Sequence, residues 1–216
     1  MHPDWNRLAQ LLSNVTAHNI TMENLKQSFS DVLRDHNLKV IQRAESLPDE
    51  RLPGWLFRRT FRSCGVDEET GSRLYDAMLE LHLERHLWCE MDEDAPIVIE
   101  TLKKAGFGVA AVSNTEDGRV EELLQLAGLD RDLDFILDSH LVGCSKPDKL
   151  IFQMAIDRYG IAPEDAVYVG DSYGHDAVGA SNAGLRPILL DPLNIYPECV
   201  FPRIKKLIEL VFGVLS

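Results

Sequence analysis

The sequence predicts an α/β protein: a doubly wound, Rossmann-like parallel sheet joined to a helical domain. Two observations carry this prediction. Apolar residues recur at helical spacing up to about residue 88, as in Trp5, Leu8 and Leu12. Further along the chain, short apolar runs alternate with helical segments, which is typical of βαβ units. Because these runs are apolar throughout, each strand should be buried on both faces.

The change of periodicity predicts two domains that meet near an acidic turn at Glu90 to Asp94. Residues 1–92 should form a helical domain, in which Thr21 is suited to begin a helix that carries Leu25 and Phe29. Residues 93–216 should form the α/β core. The predicted strands are Phe107–Val112, Phe135–Leu137, Ala166–Val169 and Pro187–Leu190. The predicted core helices are Pro96–Ala105, Asp117–Leu126, Asp148–Tyr159, His175–Ala183 and Lys205–Phe212.

Composition is that of an ordinary globular protein, and the charge argues against two classes of partner. The formal net charge of −13 should repel nucleic acids and anionic membrane surfaces, so we expect neither as a partner. The densest basic residues, which are Arg51, Arg58, Arg59 and Arg62, are expected to form a solvated helix face. The four cysteines contain no CxxC pair, which predicts neither a zinc site nor a disulfide framework. We therefore expect a cytoplasmic protein, and the oligomeric state stays open.

Polar residues follow two of the predicted strands. Functional groups gather at the carboxyl ends of strands in a doubly wound sheet, which makes these residues candidates. Ser113 and Asn114 offer a hydroxyl and backbone N–H groups ahead of a helix, which suits either phosphate oxygens or an ordinary helix cap. Lys146 precedes Pro147, so it should lie in a loop, with its ammonium either solvated or turned toward the strand ends.

The most informative single segment is AVYVGDSYGHD, from Ala166 to Asp176. A buried strand ends at Gly170, and the carboxylates of Asp171 and Asp176 follow on one tight turn. A small set of hard oxygen ligands suits Mg²⁺, which usually keeps several of its waters. The alternative is structural: Asp171 caps the turn and Asp176 begins a helix at its favoured end.

In order and spacing, AAVSNT, SKPD and VYVGDSYGHD resemble motifs two, three and four of the haloacid dehalogenase superfamily, in its branch with a helical cap near the amino terminus. The resemblance covers nearly the whole chain and implies that the helical domain, residues 1–92, is the cap domain. It implies a hydrolase, specifically a Mg²⁺-dependent phosphatase of a small phosphorylated metabolite that works through an aspartyl-phosphate intermediate. It also implies roles for five residues: Ser113 and the Asn114 backbone bind the phosphoryl group, Lys146 neutralises it, and Asp171 and Asp176 hold the metal.

The first motif of that family has no counterpart here. Family members carry D-x-D-x-T at the end of a buried strand, and its first aspartate attacks phosphorus. Asp4 has no strand ahead of it, and the pair Asp132 and Asp134 precedes a strand instead of following one. We therefore expect that the chain begins after motif one, that its core lacks the first strand, and that these residues alone are inactive. A fragment or a late start would explain this pattern, and so would a pseudoenzyme.

Two other functions stay open from the sequence. A 2-haloacid dehalogenase resembles the chain in size and cap but needs no metal, so the paired carboxylates argue against it. A pseudoenzyme would bind phosphate and metal without turnover. His82 and His86 are spaced to share a helix face, but no third metal ligand is evident, and we expect them to be surface or packing residues.

Overall fold

The computed structural model of the protein describes residues 2–16, 20–43, 50 and 52–214. It divides into two compact units, Met1–Glu90 and Met91–Ser216. Arg51, which the sequence grouped with three other arginines, lies outside the described residues. Within the described residues, no helix is both long and apolar enough to cross a membrane.

The first unit is helical. Its described helices are α1 (Trp5–Val15), α2 (Met22–Gln42), α3 (Trp55–Ser63) and α4 (Glu68–Glu84). Side-chain caps fix three of the four starts, because the side chains of Asp4, Thr21 and Asp67 each accept a hydrogen bond from the backbone N–H three residues ahead. The expected cap at Thr21 is therefore confirmed.

One apolar core joins these four helices. Leu8 and Leu12 lie one helical turn apart on α1 and are fully buried. They belong to one cluster with buried side chains from each of the other helices, including Leu25, Phe61 and Leu74. The helical periodicity seen in the sequence thus corresponds to the buried faces of these helices.

The second unit contains parallel sheet, which confirms the predicted α/β fold class. Its strands are β1 (Ala111–Ser113), β2 (Ile136–Asp138), β3 (Val167–Gly170), β4 (Arg186–Leu190) and β5 (Arg203–Ile204). The strands form two separate sheets in the described chain, β1-β2 and β3-β4-β5, and every pairing is parallel. Among the described residues, β1 and β3 share no backbone ladder.

Helices connect the strands of this unit. They are α5 (Ala95–Lys104), α6 (Val120–Leu126), α7 (Ser139–Val142), α8 (Lys149–Tyr159), α9 (Gly179–Asn182) and α10 (Glu209–Val214), with a π-helix at Tyr173–Val178 ahead of α9. Short 3₁₀ turns lie at Asp130–Asp132 and Pro163–Asp165. The predicted helix His175–Ala183 is therefore two helical segments, and the last helix begins later than predicted.

The first strand is shorter than predicted, and the strand assignment for residues 107–110 was wrong. The Asp134 carboxylate accepts the Val109 N–H at 2.8 Å, and the Asp134 N–H donates to the Val109 carbonyl at 2.8 Å. A side chain therefore replaces part of the ladder, and regular pairing starts only at Ala111. The two-residue strand β5 was not predicted, because two residues are too few to show a period.

Candidate functional site

Asn114, just after β1, fixes the backbone of the loop that precedes α8. Its side-chain amide donates to the Lys146 carbonyl at 2.9 Å and accepts from the Lys146 N–H at 2.9 Å. A primary amide that satisfies both backbone groups of one residue leaves that residue little freedom. The two segments that carry Ser113 and Lys146 are thereby held together.

The Lys146 ammonium lies between β1 and β3. It donates to the Val112 carbonyl at 3.1 Å, to the Tyr168 hydroxyl at 3.0 Å and to Asp176 Oδ1 at 2.7 Å. An ammonium has three N–H donors, so all of them are used. Burial alone would lower the pKa of Lys146, but the Asp176 carboxylate and the Tyr168 hydroxyl raise it above the ordinary value of a lysine. Lys146 is a fixed positive charge at this position.

Asp176 lies in the π-helix that follows β3 and is buried, with 4% of its surface exposed. Besides the contact of Oδ1 with Lys146, its Oδ2 accepts the Ser172 N–H at 2.9 Å. Gly170 is required by this packing, because a Cβ built there would lie 2.4 Å from the Asp176 Cγ and Oδ2 atoms. The glycine at the strand end thus allows the carboxylate to lie against the backbone.

Tyr168 is a site residue that the sequence analysis missed. Its hydroxyl lies 3.1 Å from the Val112 carbonyl and 3.4 Å from Asp176 Oδ1, and it accepts from Lys146. Burial and the Asp176 carboxylate raise the pKa of Tyr168, so it stays a neutral donor. The signal in the sequence was a tyrosine inside a buried strand, since a buried hydroxyl needs a partner.

Ser113 and Asp171 are the candidate residues that keep unused polar groups. No described residue forms a hydrogen bond with the Ser113 hydroxyl, and no other described residue donates one to the Asp171 carboxylate. Although the Asp171 side chain reaches solvent, the protein atoms around it disfavour its charge, and the Asp176 carboxylate adds like-charge repulsion. Both effects raise the pKa of Asp171.

Asp138, at the end of β2, holds the loop after β1 from the other side. Its buried carboxylate accepts hydrogen bonds from the Thr115 hydroxyl and from the Val120 N–H at 3.2 Å. The Thr115 N–H donates to the Ser139 hydroxyl at 3.0 Å. No local pattern indicates this role, because Asp138 lies 23 positions from Thr115 and 18 positions from Val120 in the sequence. The network positions the loop that carries Ser113 and Asn114.

The donor set of this cluster fits a hard divalent cation. Asp171 offers an exposed carboxylate that forms no ion pair with a described side chain. Both oxygens of Asp176 already accept hydrogen bonds, so this residue suits contact through a water better than direct ligation. Mg²⁺ takes one or two protein carboxylates and keeps several waters, which matches one free and one occupied carboxylate.

His82 and His86 do not form a comparable metal site. Their rings lie 4.2 Å apart, and each Nδ1 faces a backbone N–H, that of Leu87 for His82 and that of Trp88 for His86. With Nδ1 as the acceptor, the neutral ring carries its proton on Nε2 and has no lone pair left for a metal. Asp134, which the sequence analysis considered with Asp132 for the first motif, accepts hydrogen bonds from the Lys103 ammonium and from the Tyr159 hydroxyl.

Comparison with known proteins identifies the family. Residues 57–184, more than half of the chain, match the sequence model of the haloacid dehalogenase-like hydrolases. The chain belongs to this family. The family match includes Ser113, Lys146, Asp171 and Asp176.

Individual relatives agree with this assignment. The mouse haloacid dehalogenase-like hydrolase domain-containing protein 3 is 32% identical over 190 residues, which is 84% of this chain and 75% of the relative. A phosphoserine phosphatase of Thermus thermophilus is 31% identical over 63% of this chain, and the aligned region is 53% of its length. Among solved structures, the putative HAD-hydrolase YfnB of Bacillus subtilis bound to magnesium superimposes with a TM-score of 0.64 at 20% identity, over 99% of this chain and 94% of YfnB. This last likeness concerns the fold.

The contact between Gly170 and Asp176 leads to a first prediction. Gly170→Ala should lower the free energy of unfolding by about 1–3 kcal/mol, because the added methyl group collides with a buried carboxylate that cannot move without losing Lys146. Gly213→Ala is the matched control, since a Cβ there meets no atom within 4 Å. Urea unfolding of both variants is the measurement. Equal stability of Gly170→Ala and Gly213→Ala would show that Asp176 does not occupy this place.

Proposed function

We propose that this hydrolase is a Mg²⁺-dependent phosphatase of a small phosphorylated metabolite, and that the helical unit serves as its cap. The observation that carries the proposal is the meeting of Lys146, Asp176 and Asn114 beside an exposed Asp171. Positive charge, neutral hydrogen-bond donors and carboxylates at one place are the groups that phosphoryl transfer needs. The relative that is a phosphoserine phosphatase supports the same reaction class.

In this proposal each residue acts on the transferring phosphoryl group or on its counter-ion. The unused hydroxyl of Ser113 and the Asn114 backbone donate to phosphoryl oxygens. Lys146 neutralises the negative charge and is kept in position by Asn114 and Asp176. Since every N–H of Lys146 is engaged, a phosphoryl oxygen has to replace one acceptor, and the neutral Val112 carbonyl costs least to give up.

Mg²⁺, held directly by Asp171 and through water by Asp176, would offset the charge of the phosphoryl group and the attacking carboxylate. The Asp171 carboxylate is suited to this role because the like charge of Asp176 already disfavours its ionisation, and a bound cation relieves that repulsion. Ser113 and Lys146 are the residues that we assign to catalysis. The cytoplasm stays our prediction for the compartment.

The nucleophile is the part of the proposed site for which the described chain offers no residue. We propose that it lies on a strand that enters between β1 and β3, and that the 216 residues alone are inactive. Support comes from the edges of those strands: Val112 turns its carbonyl toward β3, where side chains take the place of a ladder partner. A parallel strand at this position would bring its carboxyl end to Lys146 and Asp171.

The rival functions differ in what they need from these residues. A haloacid dehalogenase needs no metal, so the exposed Asp171 beside Asp176 would have no purpose in it. A pseudoenzyme would bind Mg²⁺ and phosphate through the same residues and stop there. Activity assays on the chain extended by a strand that ends in D-x-D-x-T separate the three.

The metal assignment gives a second prediction. In the 216-residue chain, Asp171→Asn should weaken Mg²⁺ binding by about tenfold or more, because it removes the direct ligand and its charge. Asp176→Asn should have a smaller effect if it acts through water. Isothermal titration calorimetry with MgCl₂ measures both. Asp157→Asn is the control, because it removes the same charge from an exposed position on α8. Equal binding by Asp171→Asn and the parent would refute the metal site.

The third prediction concerns turnover of the extended chain. Lys146→Ala should lower kcat for an aryl phosphate by about a hundredfold or more, as the loss of other preorganised charge-stabilising donors does. Lys149→Ala, three residues along the chain and exposed, should leave kcat within about twofold. The assay follows phosphate release with Mg²⁺, and 2-chloropropionate is offered in parallel. Chloride release without phosphate release would establish the dehalogenase instead.

A further inference from the structure

A small cleft lies in the helical unit, between α3 and the start of α4. Its lining includes Leu52, Trp55, Val66, Arg58 and Ser72, and its volume is about 50 Å³. One water needs about 10–15 Å³ by the same kind of measure, so the cleft accommodates a few waters or one small polar group. Apolar walls around a few polar groups are typical of small-molecule sites.

Arg58 is the charged group of this cleft that has no carboxylate partner in the described parts of the chain. Its Nη1 donates to the Ser72 hydroxyl at 3.1 Å, and its Nε lies 3.4 Å from the Pro53 carbonyl. A guanidinium carries five N–H donors, so most of its donors are not used by these two contacts. The side chain is half-buried, where an unshared positive charge favours an anion more than it does in bulk water.

The two other arginines of the cleft have carboxylate partners. Arg59 pairs with Glu50 at 3.0 Å, and Arg62 pairs with Glu68 at 2.7 Å. Asp67 caps α4 through the Thr70 N–H, a bond that lowers the pKa of Asp67 and keeps its charge at the positive end of the helix dipole. Among the described residues, Arg58 is therefore the arginine of the cleft that has no carboxylate partner.

Arg58 is also held in place before any ligand arrives. Its guanidinium lies over the Tyr75 ring, 4.2 Å from the centroid. The Tyr75 ring also packs against the turn at Gly54, where a Cβ would lie 1.8 Å from the ring. A stacked guanidinium loses little further freedom when it binds, and its planar fork matches the two oxygens of an oxyanion.

From these contacts we infer that the cleft between α3 and α4 binds the carboxylate or phosphate group of a small metabolite, with Arg58 as the anchor and Ser72 as a second donor. The Ser72 hydroxyl accepts from Arg58, which leaves its own hydrogen for the ligand. Trp55 and Val66 would contact the apolar part of that molecule. This site is built from the helical unit alone and does not depend on the chemistry proposed for Lys146.

Tryptophan fluorescence tests the inference, because Trp55 lines the cleft. The 216-residue chain is titrated with sodium phosphate and, separately, with sodium butyrate, at ionic strength kept constant with NaCl. A saturable change is expected with at least one of the two salts, and the salt that binds more tightly identifies the oxyanion. Arg58→Gln should weaken that binding tenfold or more, since it removes a hydrogen bond to a charged group.

Matched variants decide the outcome. Arg73→Gln removes the same charge from an exposed position of α4 outside the cleft and should change the affinity less than twofold. Ser72→Ala should weaken binding several-fold, and Arg58→Lys, which keeps the charge but not the fork, should fall between parent and Arg58→Gln. If Arg58→Gln unfolds, the affinities of Ser72→Ala and Arg58→Lys decide whether the cleft binds the anion. Lys146→Ala should leave the signal unchanged.

Four results would overturn the inference. They are no saturable change with either salt, an affinity of the folded Arg58→Gln variant within twofold of the parent, an equal loss in Arg73→Gln, and dependence of the signal on Lys146. The last result would assign the bound phosphate to the other unit, so failure here is distinguishable from failure of the proposed phosphatase function.

Discussion

The buried ion pair of Lys146 and Asp176 is the interaction on which the arrangement of the second unit depends. It joins the loop before α8 to the π-helix after β3, and the β1-β2 and β3-β4-β5 sheets share no backbone ladder in the described chain. Removing one partner of a buried pair costs about 3–5 kcal/mol, because the other charge is left without compensation. Since the pKa of Lys146 is raised, this stabilisation is complete below the ordinary pKa of lysine and is lost only as the pH rises through the raised value.

The pair also explains why the candidate site has its shape. Asn114 fixes the backbone of Lys146, and the Tyr168 hydroxyl accepts a hydrogen bond from the Lys146 ammonium. Gly170 leaves room for the Asp176 carboxylate. Asp171 follows Gly170 directly but takes no part in the ion pair of Lys146 and Asp176, so its carboxylate stays exposed. The Asp176 carboxylate thus positions the Lys146 ammonium, and the Asp171 carboxylate is available to a metal ion from solution. This division of roles is the basis of the proposed phosphatase chemistry.

The sequence predicted the parts of the fold that have a period and the site residues that belong to ordered motifs. Helical spacing identified the buried leucines of α1, and the three motifs identified Ser113, Lys146 and Asp176, whose roles stay proposals. Residues 107–110 were assigned wrongly, because the Asp134 side chain replaces their ladder and no local pattern reveals a partner that is distant in sequence. Tyr168 was missed for the same reason, as its partners lie on other segments.

The basic residues of α3 show a second kind of feature that the sequence does not predict, which is the partner of each charged side chain. Their spacing predicted a solvated face, and Arg59 and Arg62 do form ion pairs with nearby carboxylates. Arg58 differs because Tyr75, which lies on α4, supports its guanidinium. Which of several neighbouring arginines lacks a counter-charge is decided by tertiary contacts, and these are visible only once the helices are packed.

A double-mutant cycle between Lys146 and Asp176 tests the central claim most directly. The free energy of unfolding in urea would be measured for the parent chain, Lys146→Met, Asp176→Asn and the double variant. The account predicts that each single change costs about 3–5 kcal/mol and that the double change costs less than their sum by more than about 1 kcal/mol, because the second change removes a charge that the first left unpaired. Costs that add to within about 0.5 kcal/mol would contradict the pair as the link between the two sheets.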